Sequence, residues 1–127
     1  MTVTPDLEDP RPAGPEGFSD AVTFSFGDPE ADVYAVARLG LSGEASASGL
    51  ALVFSGGEPV AVQADGVVDV TERSWAAIDA AGLATTIARP LEAWTLSFAS
   101  DGATFDLQVE AVSAPGAMAD GGMEGYE

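Results

Sequence analysis

Asp28, Glu30 and Asp32 stand at positions i, i+2 and i+4, the spacing of the first ligands of a calcium-binding loop. Such a loop needs a glycine where this chain has Val33 and a bidentate glutamate where it has Leu39, and Pro29 interrupts the run. The three carboxylates therefore read as a solvated turn between strands. Asp106 and Glu110 are residue types that general acid–base chemistry uses when two of them meet in a dry cleft. Both fall on the polar side of an alternating segment, where they read as surface charge. Arg38 is different: it follows Tyr34 and Val36 on one face of an otherwise apolar strand. It can form a structural ion pair, the simpler reading, or hold the polar group of a ligand. Trp75, Trp94, Phe24, Phe26, Phe54, Phe98 and Phe105 can line an apolar pocket, although such residues more often fill a core.

Composition removes more chemistry than these residues add. The chain has 127 residues and contains no Lys, His, Cys or Asn. A Ser-His-Asp triad, a Cys-His pair, a Schiff-base lysine and a P-loop lysine are all impossible. Imidazole or thiolate ligands for zinc, iron or copper are absent as well, and no cofactor-binding motif is present. The 21 Asp and Glu against 4 Arg give a net charge of −17, which repels phosphate backbones and anionic membrane surfaces. Nucleic acid and membrane insertion are therefore not expected. Acidic residues without Lys or Asn suit a host with a GC-rich genome, a salt-rich cytoplasm, or both. The first residues have neither a basic region nor an apolar one, so a cytoplasmic location is expected.

The elements that must position these side chains follow from local pattern. Residues 1–17 carry Pro5, Pro10, Pro12 and Pro15 among acidic and small residues and read as a loose leader. Residues 18–113 alternate short apolar runs with turn signals, the pattern of an antiparallel all-β sandwich or barrel. Residues 21–26 and 33–39 read as the first two strands, joined by a turn at Asp28-Pro29. Residues 50–54 and 60–64 flank Gly56-Gly57, a pair able to take the positive φ angles of a tight hairpin. Both are apolar on both faces, which predicts a central pair. Residues 67–70 read as a shorter strand, and the alanine-rich stretch 72–82 as one short helix closing on Gly82. Residues 114–127 read as a loop and tail.

The sharpest local inference is the hairpin over 93–111. With Asp101-Gly102 as its loop, Phe98 faces Phe105, Leu96 faces Leu107 and Trp94 faces Val109. The opposite side pairs Ser97 with Asp106 and Thr95 with Gln108. One face is apolar and the other mostly polar, so a slip of one residue would put the aromatics in water.

The segment Phe24-Ser25-Phe26-Gly27-Asp28-Pro29-Glu30, followed by Tyr34, Arg38, Leu39 and Gly40, resembles the opening of uncharacterised bacterial and archaeal proteins. Those proteins are related to the carotenoid 1,2-hydratase (hydroxyneurosporene synthase) and AttH-like, lipocalin-like group. The closing Gly121-Gly122-Met123-Glu124-Gly125-Tyr126-Glu127 is similar to a stretch inside such chains. The resemblance implies two lipocalin-like β layers around an apolar ligand site, of which this chain is the front portion. It also implies later strands with a His-Ser-Trp-Gly-like motif, none of which occurs here, so a truncated or split gene is expected.

These readings combine into one expectation: a lipocalin-like β domain that binds a lipid or isoprenoid, alone or with a second copy or second chain completing the β fold. Its candidate ligand-binding residues are Arg38, Tyr34, Trp94, Phe98 and Phe105, with Glu124 and Tyr126 added by the resemblance. No residue is assigned a catalytic role. One alternative is part of a split isoprenoid hydratase-like enzyme. The other is an interaction module that pairs through its sheet edges.

Overall fold

Side chains that alternate with a period of two need extended backbone to segregate onto two faces. The computed structural model, which describes residues 3–12 and 19–116, accordingly contains seven strands. These are β1 (Ser19–Asp28), β2 (Val33–Ser42), β3 (Ser46–Ser55), β4 (Glu58–Asp69), β5 (Leu83–Arg89), β6 (Ala93–Ala99) and β7 (Thr104–Glu110). The first four form one antiparallel sheet in the order β1-β2-β3-β4, and the last three form another in the order β5-β6-β7. The fold is all-β, and its two sheets do not close into a barrel.

Each turn has a local cause. Between β1 and β2 the Asp28 carboxylate accepts the amides of Glu30 (3.0 Å) and Ala31 (3.3 Å), closing an Asx-type turn. Gly56 and Gly57 between β3 and β4 have φ of 60° and 78°, which a residue with a Cβ rarely adopts. At the β6–β7 tip, Ser100 and Ala103 close the loop, with Ser100 Oγ accepting the amides of Gly102 and Ala103. Gly102 does not need a positive φ there. A Cβ at this position would collide with the Val60 carbonyl oxygen of β4, so the glycine lets the hairpin tip approach the other sheet.

The core lies between the sheets. Ala35, Ala37, Leu39 and Leu41 of β2 and Ala47, Ala51 and Val53 of β3 supply one wall. Leu83, Leu96 and Phe98 supply the other, with Trp75, Ile78 and Ala80 from the connecting segment. Small residues stand opposite one another in the four-stranded sheet, Ala37 beside Ala51 and Ala35 beside Val53. That leaves depth for large side chains from the second sheet. The β6–β7 register has Phe98 opposite Phe105, Leu96 opposite Leu107 and Trp94 opposite Val109, as the sequence predicts.

Three features differ from the sequence reading. The helix expected over 72–82 is only a 3₁₀ turn, Trp75–Ala77, and Ile78 is already extended (φ −84°, ψ 126°). A segment this short gains little from helical hydrogen bonds. It is held instead by its apolar side chains, with Trp75, Ile78, Ala80 and Ala81 all buried, and by the Ala81 amide donating to Asp65 (2.6 Å). Residues 60–64 and 67–70 are not separate strands. They belong largely to β4, an edge strand interrupted by register shifts opposite 47–49 and 53–54. The central pair is β2 and β3. Strand β5 was not anticipated: Leu83, Thr85 and Ile87 alternate, but intervening Ala84 and Thr86 are too small and mild to mark a polar face. Within residues 3–12, Pro5–Glu8 forms a 3₁₀ turn whose Glu8 accepts hydrogen bonds from both tryptophans.

Phe98 is 2% exposed at the centre of this core. Phe98→Ala should lower stability by about 3–5 kcal/mol in urea unfolding, the usual cost of an unfilled core site. A loss of a few tenths of a kcal/mol would contradict the packing described.

Candidate functional site

The alternation that buries one side of β2 and β3 leaves a second apolar surface on the other side. Three cross-strand rows define it: Thr23–Arg38–Leu50–Ala64, Ser25–Val36–Leu52–Val62, and Gly27–Tyr34–Phe54–Pro59. Tyr34, Val36 and Val62 are 45%, 38% and 59% exposed, and Leu50, Leu52 and Phe54 are half-buried. No described element packs over them. The Tyr34 ring lies across Gly27, where a Cβ would stand 2.5 Å from Tyr34 Cδ1. The ring thus covers the bare backbone and forms one side of a shallow groove of about 480 Å³, completed by Ser25, Phe26, Val36 and Phe54. Single exposed apolar residues are ordinary; a contiguous group is a candidate interaction surface.

Arg38 closes the apolar end of this face. The other three arginines are engaged: Arg11 Nη2 donates to the Leu7 carbonyl (3.3 Å), Arg73 donates to the Arg11 and Gly43 carbonyls, and Arg89 pairs with Glu92 and Glu110 at 3.7 Å each. Arg38 has neither a hydrogen bond nor an ion pair among the described residues. The structural ion pair that was its simpler sequence reading is not formed there.

The expected ligand-binding residues do not converge. Tyr34 and Arg38 share the outer face of the four-stranded sheet, whereas Trp94, Phe98 and Phe105 belong to β6 and β7 of the other sheet and lie within or against the core. There they form an aromatic array. Phe24 meets Trp94 edge-on at 5.6 Å, Phe26 meets Phe105 edge-on at 5.1 Å, and Phe98 meets Phe105 at a tilt, 5.3 Å apart. These rings fill one another's space, so Trp94, Phe98 and Phe105 act as core. Glu124 and Tyr126 lie outside the described residues. Of the other candidates, the Asp28 carboxylate is engaged by its own turn, and Glu110 pairs with Arg89 and Gln108 on an exposed surface.

Glu8 is the polar residue that sequence reasoning missed. Its carboxylate accepts hydrogen bonds from Trp94 Nε1 and from the Leu91 amide, and its carbonyl accepts from Trp75 Nε1 (2.8 Å). Leu91 has a φ of 62°, so the carboxylate also secures a strained β5–β6 turn. The available signal was the two indole N–H groups themselves, which need partners when their rings are buried. Nothing in the sequence says where those partners come from.

Comparison with protein-family models, curated proteins and solved structures finds no significant match for this chain.

Glu8→Ala removes both side-chain acceptors and leaves the Trp94 N–H without its partner. The expected result is a loss of about 1–3 kcal/mol in urea unfolding together with a red shift of tryptophan emission. Unchanged emission would show that the N-terminal segment does not hold Trp94.

Proposed function

We propose that this chain is a non-catalytic β-sandwich module that binds a hydrophobic small molecule of the lipid or isoprenoid class on the outer face of its four-stranded sheet. The observation that carries this reading is the contiguous apolar surface of Tyr34, Val36, Leu50, Leu52, Phe54 and Val62 outside a core already filled by Phe24, Phe26, Trp94, Phe98 and Phe105. A ligand placed between the sheets would have to displace those rings. On the outer face it covers side chains that water now meets, and each large apolar side chain fully removed from water contributes about 1.5–3 kcal/mol. The groove beside Tyr34 falls within the range of small-molecule sites, roughly 300–1,000 Å³.

A second reading has its own support. The edge strands β1, β4, β5 and β7 leave backbone donors and acceptors without a neighbouring strand among the described residues. An interaction module would use those edges to pair with another copy or another chain that continues the β fold. The two readings differ in which atoms are covered: side chains on the sheet face in the first, backbone groups at the sheet edge in the second.

Titration with the neutral fluorophore N-phenylnaphthylamine separates them. Leu52→Asp, at the centre of the face, should weaken binding at least about tenfold, a difference of roughly 1.4 kcal/mol. Gln108→Asp, exposed on the outer side of the other sheet, should leave it unchanged. Equal binding by the wild type and Leu52→Asp would remove the outer face as the site.

A further inference from the structure

Arg38 gives the apolar face a chemical direction. It lies half-buried in a row with Thr23, Leu50 and Ala64, one position along the face from Val36, Leu52 and Val62. In a chain with 21 carboxylates, an arginine with no partner among the described residues is unusual, because its planar donor fork is suited to a carboxylate. The register explains why the nearby acids do not reach it. Asp20, Asp28 and Asp65 align with Leu41, Val33 and Gly49, whose alternation is that of the inner face. All three already accept backbone amides elsewhere: Asp20 from Arg11 and Ala21, Asp28 from its turn and Asp65 from Ala81. The three rows from Gly27–Tyr34–Phe54–Pro59 to Thr23–Arg38–Leu50–Ala64 contain no acidic residue.

The guanidinium also has a prepared bed. It lies over Gly40, with Arg38 Nη1 3.2 Å from the point a Gly40 Cβ would occupy, and Ser48 Oγ is 2.9 Å from the same point. A planar charged donor and a hydroxyl donor thus meet over bare backbone at one end of the apolar surface. From Arg38 the face continues through Val36 to Tyr34, four residues of extended strand or about 13 Å, with Leu50, Leu52 and Phe54 alongside on β3.

Resting on the reading that this face binds a hydrophobic molecule, we infer that its ligand is a fatty acid whose carboxylate is held by Arg38 and Ser48. The acyl chain lies over Val36 and Leu52 towards Tyr34 and Phe54. Arg38 supplies a bidentate contact that an alcohol or hydrocarbon cannot use, so it sets both orientation and specificity. The net charge of −17 opposes any anion at long range, but at 0.15 M salt its reach is limited to about 8 Å. Contact with Arg38 then decides.

The test is displacement of N-phenylnaphthylamine at 0.15 M salt by dodecanoate and by dodecanol, with the wild type, R38Q, R38K and S48A. Dodecanoate should displace the probe from the wild type at least about tenfold more effectively than dodecanol. That preference should vanish in R38Q, be partly kept in R38K, and be reduced in S48A, with the unfolding midpoint of each variant unchanged. Equal displacement by acid and alcohol, or a preference that survives in R38Q, would overturn the role of Arg38 while leaving the apolar face as a binding surface. Failure of both compounds and of the probe to bind the wild type would instead overturn the underlying reading, and this inference with it.

Discussion

Strands β2 and β3 occupy the centre of the four-stranded sheet and are apolar on both faces, while the second sheet covers only one of those faces. That imbalance organises the molecule. On the inner side, Ala35, Ala37, Leu39, Leu41, Ala51 and Val53 are nearly inaccessible, and Leu83, Leu96 and Phe98 pack among them. On the outer side, Tyr34, Val36, Leu50, Leu52, Phe54 and Val62 keep partial contact with water. A sheet with one wet face normally alternates apolar with polar residues. Here the wet face is as apolar as many buried ones, which is why it, and not the interior, is the place to look for function.

Coherence of the sandwich depends on contacts at its two ends. At one, the β6–β7 tip rests on β4 at Val60, an approach that only Gly102 permits. At the other, Glu8 receives Trp75 and Trp94 while Arg73 ties the backbone at Arg11 to the β2–β3 turn at Gly43. Aromatic contacts from β1 to β6 and β7 link the sheets between those ends. The same contacts place aromatic rings between the two sheets.

How much of this was legible in the sequence depended on how local the determining physics was. The β6–β7 register could be read residue by residue, because large apolar side chains alternate with polar ones around Asp101-Gly102. The Gly56-Gly57 turn was equally local. β5 was obscured because Ala84 and Thr86 give no strong polar phase, and the 72–82 segment was misread because alanine content favours helix when burial is ignored. Gly102 was correctly placed in a turn for a reason that does not apply, since its role is a contact with residue 60. Glu8 and its indole partners lie more than 65 residues apart in the chain, and local pattern carries no information about such a bond. For the site, the pairing of Tyr34 with Arg38 on one face was readable from their spacing. That Trp94, Phe98 and Phe105 stand on the other sheet, against the core, was not readable, because the sequence shows which residues alternate together, not which side of the sheet the second layer will cover.

Side-chain methyl NMR in the absence and presence of dodecanoate distinguishes binding on the outer face from binding between the sheets, since leucine and valine methyls report the two faces of the same strands separately. Binding on the outer face should shift Val36, Leu50, Leu52 and Val62 and leave Leu39, Leu41, Leu83 and Leu96 unmoved. Shifts concentrated at those four inner leucines, with the outer methyls unaffected, would place the ligand between the sheets and contradict it.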